Sequence, residues 1–172
     1  MELGIDILAM LFAAAFIAAF IDAIAGGGGL ITIPALLMTG MPPAMALGTN
    51  KLQAFGGALS ASIYFLRKRA VNLSEFSFIL LVIFIGSVIG TLLIQSLDAS
   101  LIKKGLPFLI LAIGLYFLFT PKLGESDRKQ RISYVVFALC FGSLLGFYDG
   151  FFGPGTGSLM NLACVTLLGF NL

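Results

Sequence analysis

The sequence predicts an all-α integral membrane protein, a polytopic helical bundle with an internal repeat and glycine-broken half-helices. Three observations lead there. Of 172 residues, 59% are hydrophobic and 10% charged, whereas a soluble domain carries about 25% charged residues. Apolar runs long enough to cross a bilayer recur along the chain. Two of these runs are cut by glycine clusters, Gly26-Gly27-Gly28-Gly29 and Gly153-Pro154-Gly155.

The first run, Leu3 to Ala25, exceeds the roughly 20 residues a spanning helix needs. Its leader carries Glu2 and Asp6 and no basic residue, so it reads as a retained helix rather than a cleaved signal peptide. After the four glycines, Leu30 to Thr39 is too short to span and reads as a half-helix or re-entrant piece, ended by Gly40-Met41-Pro42-Pro43. Ala44 to Leu66 is long enough to span but polar in its first half and rich in small residues. Phe76 to Leu97 and Leu101 to Thr120 are ordinary spans. Pro121 to Arg131 is a charged loop. Ile132 to Tyr148 opens a further span, and Ser158 to Phe170 is a second short apolar piece.

Charge placement orients these elements. Of ten Lys and Arg, seven lie in Arg67-Lys68-Arg69 and in Lys122, Arg128, Lys129 and Arg131. The positive-inside rule places both stretches in the cytoplasm. Without interleaved aromatics or a soluble domain, neither reads as a nucleic-acid patch. Cys140 and Cys164 lie in apolar segments and are expected to be buried thiols without a disulfide. The absence of histidine and of any CxxC leaves no metal site, and no cofactor is expected. Ser60, Ser62, Ser87 and Ser158 have no histidine to activate them, which argues against an enzyme. Gly153-Pro154-Gly155-Thr156-Gly157 has no following lysine and no preceding strand, so it is not a phosphate loop.

Three charges sit inside apolar stretches: Asp22, Lys51 and Asp149. A charge at bilayer depth costs at least about 2.5–3.5 kcal/mol and normally faces a cavity or a partner. Each aspartate stands four residues before a glycine break, and Lys51 closes Gly48-Thr49-Asn50-Lys51. Broken helices beside charges are how transporters build a solute site. Their free N–H groups suit an anion. The candidate binding residues are therefore Gly28, Gly29, Thr49, Asn50, Lys51, Gln53, Gly155 and Thr156, with Asp22 and Asp149 as carriers of a coupling proton. Thr49 and Gln53, four apart, share a helix face that Lys51 does not. Plainer readings stand beside these. Lys51 could snorkel to the interface past Pro42-Pro43, or Asp22 could simply neutralise Lys51, with Asp149 partnered from outside the sequence. Gly86-x-x-x-Gly90 and Gly142-x-x-x-Gly146 read as helix-packing motifs. Most aromatics read as core or lipid-facing, Tyr148 excepted.

Phe20-Ile21-Asp22 before its glycines resembles Phe147-Tyr148-Asp149 before its own. Residues 1–131 thus read as a first repeat and 132–172 as the start of a second. The second stops where the first continues into its Lys51 helix, which predicts a piece of a longer protein. Parity of crossings decides between parallel and inverted repeats, and the acidic N-terminus favours inverted.

The motifs Ile21-Asp22-Ala23-Ile24-Ala25-Gly26-Gly27-Gly28-Gly29-Leu30-Ile31-Thr32-Ile33-Pro34 and Ala46-Leu47-Gly48-Thr49-Asn50-Lys51-Leu52-Gln53, followed by Phe147-Tyr148-Asp149-Gly150-Phe151-Phe152-Gly153-Pro154, are similar to those of the TauE/SafE sulfite exporters, also called toluene sulfonate uptake permeases. Pro121-Lys122-Leu123-Gly124-Glu125 adds a likeness to the YfcA-type members. The resemblance implies a multi-pass permease of the bacterial inner membrane, C-terminally truncated here, that moves sulfite, sulfonates or related organic anions. The expected partners are a small anionic solute and the lipid bilayer, with a homo-oligomer left open and no nucleic acid. A passive anion channel and a non-transporting membrane scaffold or partner subunit are the alternatives.

Overall fold

Residues 4–69, 73–119 and 130–169 are described by the computed structural model. All regular structure among them is helical. Helix α1 is Ile5–Ala25, α2 Gly29–Met38, α3 Pro43–Arg67, α4 Leu73–Ser96 and α5 Ala99–Phe119. Helix α6 covers Tyr134–Phe151 and α7 covers Thr156–Leu168. Each of the last two contains a π-helical turn, at Phe137–Gly142 and Cys164–Leu168. The segment 120–129, which holds Lys122, Arg128 and Lys129, lies outside the described residues.

Ile5–Ile24, Phe76–Ser96 and Tyr134–Phe151 are each long and apolar enough to cross a membrane. The surface they present suits lipid: Phe12, Phe16, Leu80, Phe84, Leu92 and Leu144 all lie exposed. Water would penalise such a surface by about 25 cal/mol per Å² of apolar area, and a hydrocarbon solvent does not. Cys140 shares this outer surface. The expectation of two buried thiols is therefore corrected: an apolar run looks the same to the sequence whether it faces lipid or core, and only Cys164 is half-buried.

Glycines bring α4 and α6 into backbone contact. A Cβ on Gly86 would lie 2.6 Å from the Ser143 carbonyl oxygen, and one on Gly150 would lie 2.6 Å from the Ser87 carbonyl carbon. Gly90 meets Phe147 and Phe151, and Gly146 meets Ile83. Close approach through glycine is how helices associate where lipid removes the hydrophobic drive. The close set on α6 is Gly146 and Gly150. Gly142, expected as its partner, makes only ordinary contact with Ile83. Thr91 adds a hydroxyl bond to the Gly150 carbonyl at 3.2 Å.

Residue numbers rise together along this seam, so α4 and α6 run parallel. Both begin just after basic residues, Arg67 and Arg69 for α4 and Arg131 for α6, which puts these residues on one side of the molecule. Helix α7 then returns to that side: the Arg131 and Ile132 N–H groups donate to the Leu167 carbonyl at 2.9 and 3.4 Å. Phe137, Ala138, Ala163 and Leu168 close the hairpin with Ile79 as one buried cluster. A second cluster, Ile33, Leu47, Ile94, Ile102 and Leu106, ties α2 through α5 together.

Candidate functional site

The two glycine breaks lie against each other. Gly26 ends α1 in the left-handed region at φ 73°, and its would-be Cβ falls 2.5 Å from the Gly157 carbonyl carbon. The Ser158 N–H donates to the Gly26 carbonyl at 3.2 Å. Gly153 opens the second break at φ 90°. Any side chain at Gly26 would suffer both strain and collision, because only glycine enters this region freely and lets two main chains cross so closely.

Each membrane-depth charge serves a helix end. Asp22 Oδ1 accepts the Gly28 N–H at 2.9 Å, so the carboxylate caps the positive N-terminal end of α2. Lys51 Nζ lies 3.1 Å from Asp149 Oδ2 and also donates to the Asp149 main-chain carbonyl. That carbonyl is available because the Phe152 and Gly153 N–H groups both turn to Tyr148 O, at 2.9 and 3.1 Å. A cation at the negative C-terminal end of α6 is the favourable polarity. The pairing settles two of the sequence's open readings. Lys51 takes Asp149 rather than Asp22, and Asp149 finds its partner within the chain. Lys51–Asp149 is the ion pair formed among the described residues, with side chains 32% and 40% exposed.

Two adjoining cavities flank the crossing. The more polar, about 190 Å³, is bounded by Asp22, Lys51 and Asp149 and by Gly29, Gly155, Thr156 and Gly157. The other, about 260 Å³, runs between α1 and α3 past Gln53, Ala54, Gly57, Ala58 and Ala61. Asp22, Gly29, Asn50 and Ala54 border both. Asn50 is 7% exposed, yet among the described residues its side-chain amide makes no hydrogen bond. No buried side-chain nitrogen or oxygen among the described residues lacks a partner, so the Asn50 amide is open to the cavities it borders and can be hydrogen-bonded from there.

Other candidates go elsewhere. Thr49 is exposed, 3.9 Å from Met41 Sδ, and borders neither cavity. Gln53 donates to the Ala15 carbonyl at 2.9 Å, fastening α3 to α1 at the rim of the larger cavity. Gly28 has given its N–H to Asp22. Thr156 Oγ1 donates to Gly153 O at 2.8 Å and Tyr148 Oη to Pro154 O at 2.6 Å, so both brace the second break. The small-residue face of α3 was missed as a cavity wall. Its spacing, Ala54, Gly57, Ala58 and Ala61, is the signal that could have found it.

The family described as Sulfite exporter TauE/SafE matches residues 11–172. The chain belongs to that family. Among TauE/SafE relatives, a Haemophilus influenzae protein named "Probable membrane transporter protein" is 77% identical over 172 residues, 100% of this chain and 68% of its own length. The Escherichia coli K12 "Probable membrane transporter protein YfcA" is 55% identical over 166 residues, 96% of this chain and 62% of its own. "Probable membrane transporter protein ORF9" of a Sinorhizobium species is 50% identical over 171 residues, 99% and 66% of the two chains. The chain therefore spans about two thirds of the length of these curated relatives. No solved structure matches it.

Proposed function

We propose that the chain forms the solute-binding part of a transporter for small anions, sulfite or sulfonates and related organic anions, and that transport is coupled to protons. The observation that carries this reading is Asn50: a residue 7% exposed whose amide borders both cavities and has no hydrogen-bond partner among the described residues, beside Lys51 and the N-terminal end of α7. An anion in the smaller cavity would take the Asn50 amide, the Lys51 proton not spent on Asp149, and the main-chain N–H groups at Gly155 and Gly157, the Thr156 N–H being given to the Gly153 carbonyl. These are the donors that favour negative charge without a metal. The family's name, Sulfite exporter, supports the substrate class, and the names of the relatives support the transport role.

Asp22 and Asp149 are the carboxylates available to carry the coupling proton. Asp22 commits one oxygen to the Gly28 N–H, so the other can take a proton while the cap persists. A proton on Asp149 would instead discharge its pair with Lys51. The bacterial inner membrane is the compartment this reading requires, and on it two repeats, 1–131 and 132–172, would each supply one of the two breaks.

The test is anion flux in proteoliposomes with and without a proton gradient. The reading expects saturable sulfite or sulfonate flux that follows the gradient and falls in Lys51→Ala. Flux indifferent to the gradient would indicate a passive channel, and none for any anion a scaffold.

A further inference from the structure

We infer that the cavity between α1 and α3 is the cytoplasmic limb of the solute path, and that the described conformation is open on that side. The inference rests on the transport reading and adds to it a route and an access state.

The larger cavity begins at Asn50 and follows Ala54, Gly57, Ala58 and Ala61 along one face of α3. Asn50 to Ala61 is roughly 16 Å at 1.5 Å per residue, and about 9 Å more reaches Arg67 at the helix end. That end shares its side of the molecule with Arg131, because α4 and α6 run parallel. Two basic ends on one side mark it as cytoplasmic. The cavity thus leads from Asn50 toward the cytoplasm.

Its walls are suited to passage rather than to grip. The α3 side is alanine and glycine, and α1 adds Ala18, Ala19 and Ala23. Its polar groups, Asp22, Thr32, Asn50 and Gln53, lie toward the Asn50 end. Beyond Asn50 the path meets the crossed breaks, where Gly26 lies on Gly157 and Lys51 holds Asp149. Large apolar residues on other faces of α3, Leu52, Phe55 and Leu59, stay exposed outside the cavity.

The experiment uses the full chain with both native cysteines replaced (C140S, C164S), carrying Ala58→Cys, Ala61→Cys or, as an outer-surface control, Leu59→Cys. A membrane-impermeant thiol reagent is applied to inside-out and right-side-out vesicles. Water-exposed thiols ionise and react whereas lipid-facing ones do not, so Ala58→Cys and Ala61→Cys should label about tenfold or more faster in inside-out vesicles, with Leu59→Cys unreactive in both. Equal labelling from both sides, labelling from the outer side only, or unreactive thiols at positions 58 and 61 would each overturn the inference. Sulfite flux measured in the same vesicles tests the transport reading separately, since loss of flux leaves the labelling pattern readable.

Discussion

Lys51 holds Asp149 at two points, the carboxylate at 3.1 Å and the main-chain carbonyl of the same residue. The contact joins residues 98 positions apart and fastens α3 to the end of α6. It leaves one ammonium proton free beside the smaller cavity. The pair is thus both a helix cap and one wall of the proposed anion site.

Removing both members should destabilise the fold by less than the two single removals added together. Lys51→Ala leaves a carboxylate and a helix end without their cation, and hydrogen bonds to charged groups are worth about 1.5–3 kcal/mol. The double replacement Lys51→Met with Asp149→Leu should cost less than the sum of the singles, as paired charges do when both are replaced by apolar groups. Denaturation of the purified protein in detergent measures all three, and simple additivity would mean that the two side chains act independently.

At Asp22, the cap and the charge can be separated. Asp22→Asn keeps an acceptor for the Gly28 N–H and should hold stability, whereas Asp22→Ala should lose about 0.5–2 kcal/mol. If Asp22 carries the coupling proton, Asp22→Asn should also make anion flux insensitive to the proton gradient. Gradient-driven flux retained in Asp22→Asn would move the coupling role to another group.

The α4–α6 seam makes a positional prediction about glycine. Gly150→Ala and Gly90→Ala push a methyl group into facing backbone and should cost at least about 1–3 kcal/mol. Gly105 and Gly114 of α5 face open space, so alanine there should be neutral or stabilising by up to about 1 kcal/mol. Thermal unfolding in detergent checks the contrast, and equal effects at the four sites would contradict the packing.

Helices and their interruptions were legible because each has a local cause. Four consecutive glycines end α1, Pro42-Pro43 opens α3, and the basic residues at 67–69 close it. The partner of Lys51 was not legible. Asp22 and Asp149 have the same local sequence character, and the choice between them depends on where the end of α6 arrives after almost a hundred residues. Thr49 was read into the site from its neighbours in Gly48-Thr49-Asn50-Lys51, yet a helix turns each residue about 100° from the last, and only Asn50 and Lys51 reach the cavities. Gly142 fitted the small-residue spacing as well as Gly150 did, and only the register against α4 separates them.

Asn50→Ala tests most directly whether the Asn50 amide serves an anion, since among the described residues that amide makes no hydrogen bond. Sulfite or a short alkyl sulfonate is titrated against wild type and Asn50→Ala in detergent, with unfolding measured alongside. A lost hydrogen bond to a charged ligand, about 1.5–3 kcal/mol, predicts roughly 10- to 150-fold weaker binding with the melting temperature of the ligand-free protein unchanged. Equal affinity in the two proteins would contradict the account.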